Sequence, residues 1–134
     1  MSHKTIKDEI VELEKQIQNT KMMLEDVYER THRFERDLCK TTHQMKKINC
    51  AKEDFSERLL SLSEKNAPEE EIVLVKGKIM DFENELVRVH SFLRDSTQQL
   101  KNMREEAETL EINLKQLSVE ASKKQFELVE AMTQ

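Results

Sequence analysis

The sequence has one glycine, one proline and no tryptophan among 134 residues, and its aromatic residues are one tyrosine and five phenylalanines. A globular domain of this length needs turn residues about every ten to fifteen positions. The composition therefore excludes a fold with many turns and permits about one break in the backbone.

The sequence also lacks any run of roughly 18 apolar residues, the length that a transmembrane helix needs. It starts Met-Ser-His-Lys and leads directly into a polar helical pattern, so we expect no secretory signal. Its two cysteines, Cys39 and Cys50, would lie about 16 Å apart on one helix, too far to form a disulfide. These features favour a reducing intracellular location, cytoplasmic or cytoskeletal, with a nuclear one left open.

Motifs that carry catalysis are missing as well. There is no glycine-rich phosphate loop and no nucleophile elbow, and a helical rod offers no pocket for paired carboxylates. His32, Cys39, His43 and Cys50 would line one face of a helix, but only Cys39 and His43 are close enough to share an ion, whereas zinc takes four ligands. The sequence thus predicts a protein that is not an enzyme and that binds no metal or cofactor.

What the sequence has is a heptad pattern of apolar residues, broken once. Sixteen of eighteen positions are apolar in its second part and thirteen of seventeen in its first, which indicates an all-α coiled coil. We call these positions the seam: Ile6, Ile10, Leu13, Ile17, Thr20, Leu24, Val27, Thr31, Phe34, Leu38, Thr41, Met45, Ile48, Lys52, Phe55, Leu59 and Leu62, then Ile72, Val75, Ile79, Phe82, Leu86, Val89, Leu93, Ser96, Leu100, Met103, Ala107, Leu110, Leu114, Leu117, Ala121, Lys124, Leu128 and Ala131.

The two parts of the seam are out of phase across residues 63–71. Asn66 has the side chain of a helix N-cap, Pro68 suits a first helical turn, and the glutamates at 69–71 suit the positive end of the helix dipole. The sequence therefore predicts a single coiled-coil unit over 1–134, with one arm at about 4–64, a turn at about 63–68 and a second arm at about 68–132.

Folding the chain at Ala67 into an antiparallel hairpin pairs seam residues whose numbers add up to 134. Polar seam residues then never face each other, as where Lys52 faces Phe82, and side-chain sizes are complementary, as where Val27 meets Ala107. A parallel dimer, the alternative, would set Lys52 against its own copy, which is costly in a seam. The sequence predicts the hairpin.

The charges beside the seam do not decide between these arrangements. In the hairpin, Arg30 with Glu106 and Lys21 with Glu111 would attract, whereas Arg58 with Lys78 and Glu9 with Glu127 would repel.

Apolar residues also recur outside the seam at seven-residue spacing. Two stripes on the second arm carry the pattern: the 73–87 stripe (Val73, Met80, Val87) and the 112–126 stripe (Ile112, Val119, Phe126). Because a two-helix coil is normally polar at these positions, we interpret them as surfaces on which further helices dock, the alternative being scattered surface apolar residues. The first arm carries weaker equivalents at Val11, Met22, Met23, Cys39 and Leu60.

A basic stretch runs from Arg30 to Lys52, with seven Lys or Arg against two acidic residues (7 − 2 = +5) in a chain of net charge −5. It comprises Arg30, Arg33, Arg36, Lys40, Lys46, Lys47 and Lys52. One interpretation is that the stretch binds microtubules or anionic membranes. The other is that its charge balances the acidic second arm within the chain. With no basic arm elsewhere and no interleaved aromatic residues, nucleic acid is not an expected partner.

Together these features predict a structural or adaptor subunit that docks coiled-coil or helical partners in a larger complex, of the cytoskeletal, kinetochore, centrosomal, ciliary or vesicle-tethering kind. These kinds of assembly are named because their small helical subunits have a similar architecture, and no sequence motif selects among them. The alternatives are a self-associating spacer rod and a direct microtubule or membrane binder through residues 30–52.

Overall fold

The chain forms two long helices that pack side by side. The computed structural model describes residues 2–133, in which α1 spans His3–Glu64 and α2 spans Glu69–Thr133. The described residues contain no β-strand, and the two helices form an all-α helical hairpin. The predicted fold class, an all-α helical hairpin, is confirmed.

The core of the hairpin is the predicted seam. Among the described residues, all that are buried belong to it, and the remaining seam residues are all partly covered. The buried ones are Ile6, Ile10, Leu13, Leu24, Val27, Val75, Leu86, Ser96, Leu100, Ala107, Leu110 and Ala121.

The hairpin comprises two compact units, each built from both helices. The first unit contains the chain up to Arg33 and from Lys101 onward, and the second contains Phe34–Leu100. In the first, a cluster forms from Leu24, Val27, Ala107 and Leu110. Its members satisfy the predicted pairing, since 24 + 110 and 27 + 107 both equal 134.

In the second unit, the rings of Phe55 and Phe82 pack with their centroids 5.5 Å apart. From Phe34 to Leu62, however, α1 contains no fully buried residue. Seven large apolar seam side chains in this segment stay partly exposed: Phe34, Leu38, Met45, Ile48, Phe55, Leu59 and Leu62. The two helices alone therefore leave apolar area of this unit in contact with water.

Three threonines occupy seam positions of α1 without leaving their hydroxyl groups unpaired. The hydroxyls of Thr20, Thr31 and Thr41 donate to the backbone carbonyls four residues earlier, at 2.8, 2.7 and 3.1 Å. Because the polar atom bonds within its own helix, threonine is tolerated in the apolar seam.

Both ends of α1 have defined caps. The Ser2 hydroxyl accepts a hydrogen bond from the Thr5 backbone N–H at 3.2 Å, as an N-cap does. At the other end, the Ala67 N–H donates to the Leu62 carbonyl at 3.0 Å and the Asn66 N–H to the Ser63 carbonyl at 3.3 Å. This pair of bonds is a Schellman motif.

Asn66 therefore has a different role from the N-cap that its side chain suggested. Its φ of 52° places it in the left-handed region, which asparagine tolerates better than most residues, and it terminates α1. The first carbonyl of α2 to accept a helical bond belongs to Pro68, from the Ile72 N–H at 3.4 Å. Glu69, Glu70 and Glu71 follow in the first turn, where the helix dipole favours carboxylates.

Candidate partner-docking surfaces

The 73–87 stripe lies on the exposed side of α2 in the second unit. Val73, Met80 and Val87 recur every two turns, and Leu74 beside Val73 is exposed as well. A shallow depression at the start of the helix is lined by Glu69, Glu70, Val73 and Leu74. The sequence-predicted stripe is thus exposed along one face of α2, with carboxylates beside Val73 at its start.

The 112–126 stripe lies on α2 in the first unit. Ile112, Val119 and Phe126, like the members of the 73–87 stripe, expose between 50% and 68% of their area. A groove along this stripe is lined by Lys115, Ser118, Val119, Ser122, Lys123, Phe126 and Glu127. A lysine therefore flanks the apolar line on each side of Val119.

The off-seam apolar residues of α1 are also exposed but do not form a stripe. Val11, Met22, Met23, Cys39 and Leu60 all face solvent. Val11, Cys39 and Leu60 share a heptad position but lie 28 and 21 residues apart, so these residues provide single apolar contacts.

Gly77 is the residue near these surfaces that sequence reasoning missed, because a glycine was counted only as a potential helix breaker. It lies inside α2, one turn after Val73 and just before Met80, and a Cβ built on it would meet nothing within 4 Å. Glycine in a helix interior costs about 1 kcal/mol relative to alanine. No contact within the chain requires glycine here, and its position beside an apolar stripe is the signal that could have drawn attention to it.

The basic stretch is partly neutralised within the hairpin. Arg30 lies 3.0 Å from Asp26 and 3.5 Å from Glu106, the second of which is the attraction expected across the seam. Lys52 reaches Glu83 of α2 at 3.6 Å.

The remaining members of the stretch stay on the surface of α1. Arg33 pairs with Glu29 at 3.3 Å on its own helix. Arg36, Lys40, Lys46 and Lys47 are exposed. The ion pairs of Arg30, Arg33 and Lys52 support internal charge balance as one role of this stretch.

Lys124 pairs with both Glu9 and Glu127, the two carboxylates that were expected to repel each other. Its Nζ lies 2.8 Å from Glu9 and 3.4 Å from Glu127, so one seam cation holds both carboxylates. The hydrogen bond to Glu9 is the largest contribution raising the pKa of Lys124, and the charge of Glu127 adds to it.

Glu111 interacts with a residue that the charge pattern did not indicate. It accepts a hydrogen bond from the Tyr28 hydroxyl across the two helices. This bond, followed by partial desolvation and the charge of Glu111, raises the pKa of Tyr28. The contact links the two helices just outside the seam.

His32, Cys39, His43 and Cys50 are exposed on α1, both cysteines as free thiols. Within residues 2–133 no three His, Cys, Asp or Glu side chains cluster closely enough to hold a metal ion. The described helices also include none that is long and apolar enough to cross a membrane.

Comparison with protein-family models, curated proteins and solved structures gives no match. The function of the chain is therefore inferred from the surfaces of the hairpin.

Proposed function

We propose that this protein is a non-catalytic structural or adaptor subunit that docks helices of other proteins in a larger helical bundle. The observation that carries the proposal is the pair of exposed apolar stripes at heptad spacing on α2. A helix laid along such a stripe would supply the third or fourth member of a bundle.

The apolar area in each stripe is enough to contribute to binding. Full burial of a Val, Ile, Met or Phe side chain stabilises by roughly 1.5–3 kcal/mol, and 50–68% of the area of these residues remains to be covered. Three of them would then contribute roughly 3 kcal/mol, equivalent to about a hundredfold in affinity. The partly exposed seam of α1 between Phe34 and Leu62 adds area that a partner could cover.

Affinity purification of the full chain from its native cell type tests the proposal. Val119→Glu and Met80→Glu each place a charge in a stripe without touching the seam, and Gln18→Glu is a matched control at an exposed polar position of α1. We expect each stripe variant to lose specific co-purifying proteins that the wild type and the control retain.

Far-UV circular dichroism establishes that the variants still fold. If all four proteins capture the same set of partners while remaining equally helical, the stripes are ordinary surface and the proposal is wrong. A highly stable, strictly monomeric protein that captures nothing specific would also count against it.

A further inference from the structure

A line of polar residues borders the 73–87 stripe on the side toward α1, and we call it the charged flank. Its members recur every seven residues, as the stripe does, and all are exposed: Glu69, Lys76, Glu83 and His90. Lys52 of α1 reaches Glu83 at 3.6 Å, yet the Glu83 side chain remains 53% exposed. The charge along this flank therefore alternates from acidic to basic to acidic, and the flank ends in an imidazole.

The opposite border of the stripe carries little charge. It consists of Glu70, Gly77, Asn84 and Ser91. A Cβ built on Gly77 would meet nothing within 4 Å, so another helix can approach α2 closely at this point.

The other charges near the stripe point away from it. At about 100° per residue, Lys78 and Glu85 project from the far side of α2, and Asp81 and Arg88 lie more than a quarter-turn from the stripe. A helix laid on the stripe would therefore meet the alternating charges of the charged flank on one side and mostly neutral residues on the other.

The order of charges along this flank is complementary to itself when it is reversed. If a second copy lies antiparallel with Met80 against Met80, each Val73 meets Val87 of the other copy. A two-fold axis that runs across the helices keeps the charged flanks of both copies on one side of the interface and makes every contact twice. Flank residues whose numbers add up to 159 then face each other.

Every contact between the two charged flanks is favourable in this register. Lys76 of each copy faces Glu83 of the other, and Glu69 faces His90, whose ring N–H can donate to the carboxylate. Charge pairs of this kind beside an apolar seam set the partner and the orientation of a coiled coil.

Other occupants and other registers lose this complementarity. A shift by one heptad sets Lys76 against Lys76 or Glu83 against Glu83, and like charges across an interface are unfavourable. In a parallel pair the charged flank would face the opposite border, where Glu69 lies beside Glu70 and Lys76 gains no ion pair. A uniformly basic or uniformly acidic helix would match only some of the alternating charges.

We propose that the 73–87 stripe is an interface between two copies of this chain, packed antiparallel about a two-fold axis at Met80. All of the residues involved belong to the second compact unit. The inference rests on the proposed function, because the second copy supplies the helix that covers this stripe, while the 112–126 stripe is left for helices of other proteins. With three apolar stripe residues from each copy, the dimer should dissociate on dilution.

Two single charge reversals in the full chain test this register. In a dimer of Lys76→Glu copies two carboxylates face each other at each flank contact, and in a dimer of Glu83→Lys copies two ammonium groups do. We expect each variant alone to dimerise at least about tenfold more weakly than the wild type in sedimentation equilibrium at low salt. An equimolar mixture of the two variants should regain the wild-type association to within about threefold, because opposite charges then face each other again.

The matched controls are Lys78→Glu and Glu85→Lys, which change the same charges on the far side of α2. Alone and mixed, they should dimerise as the wild type does, which separates a contact across the interface from an effect of net charge. Met80→Glu places two carboxylates at the two-fold axis and should abolish the dimer. Far-UV circular dichroism verifies that all variants remain equally helical.

Several results would overturn the interface. They are a wild-type chain that stays monomeric up to about 1 mM, a dimer that the reversals at 76 and 83 leave intact, and a dimer that the control reversals weaken equally. Failure of the mixture to regain association would overturn the antiparallel register.

Co-purification with Val119→Glu distinguishes this inference from the proposed function. A monomeric wild type that loses its co-purifying proteins on Val119→Glu would retain helix docking and overturn the dimer. A dimer with the expected response to charge reversal, but with unchanged co-purification in Val119→Glu, would support the interface and count against the docking of other proteins.

Discussion

Exchange of the side chains at Val27 and Ala107 tests the register of the hairpin most directly. Val27 is the most deeply buried side chain described, at 2% exposure, and it packs in one cluster with Ala107, Leu24 and Leu110. Val27→Ala removes two methyl groups, worth about 0.8 kcal/mol each, and leaves a small cavity, so we expect a loss of roughly 2 kcal/mol.

The reverse change on the other helix should be destabilising for the opposite reason. Ala107→Val adds two methyl groups to a filled layer and should cost roughly 1–3 kcal/mol. In the double variant, the volume lost from α1 is replaced from α2, so its cost should fall to about 1.5 kcal/mol instead of the sum of about 4. The expected coupling energy is then roughly 2.5 kcal/mol in favour of the pair.

Urea unfolding followed by far-UV circular dichroism measures each free energy, at two protein concentrations so that self-association is detected. The matched control combines Ala107→Val with Val75→Ala, because Val75 is buried in the other compact unit. That combination should be additive within about 0.5 kcal/mol. If Val27→Ala and Ala107→Val are additive as well, the two residues do not share a layer and the register with sum 134 is wrong.

Three further predictions concern the turn, the ionic contacts and the chain direction. Asn66→Gly should leave the free energy of unfolding nearly unchanged, whereas Asn66→Ala should lower it by about 1 kcal/mol, because the φ of residue 66 is 52°. Urea unfolding measures both values, and equal stability of the two variants would contradict the left-handed cap. The pKa values of Lys124 and Tyr28 in the folded state are raised above their ordinary values of 10.5 and 10.0. The folded state therefore retains protons that the unfolded state releases as pH rises. The stability that these groups contribute is complete below about pH 10 and is lost as pH rises through the folded pKa values. Unfolding measured from pH 9 to 12 should show this decline, reduced in the Lys124→Met/Tyr28→Phe variant; an identical decline there would mean that neither contact matters. In a chain whose two native cysteines are replaced by alanine, Ile6→Cys and Leu128→Cys should form a disulfide within one chain, and a disulfide between chains on a non-reducing gel would indicate parallel dimers instead.

The candidate docking surfaces could be predicted only in part. The exposure of the two stripes follows from their heptad positions, since residues opposite the seam face away from the partner helix. Whether anything covers them is not a property of this chain alone. Gly77 was missed because helix periodicity describes side chains, and glycine has none to place on a face.

The sequence by itself determined which residues form the core and where the chain reverses. Heptad spacing aligns apolar side chains along one helix face, and the phase break across residues 63–71, together with Pro68, leaves one place for a turn. For this reason the buried residues within 2–133 all lie on the predicted seam. These are local properties of a helix, and the chain order alone fixes them.

Only the tertiary structure decided how polar groups pair across and at the ends of the helices. Lys124 reaches both Glu9 and Glu127, where charge pattern alone indicated repulsion, and Tyr28 rather than a lysine contacts Glu111. Asn66 terminates α1 instead of starting α2. Long side chains beside the seam choose among several partners within reach, and a cap depends on which backbone groups are left unpaired, so these details follow from the three-dimensional positions of the two helices.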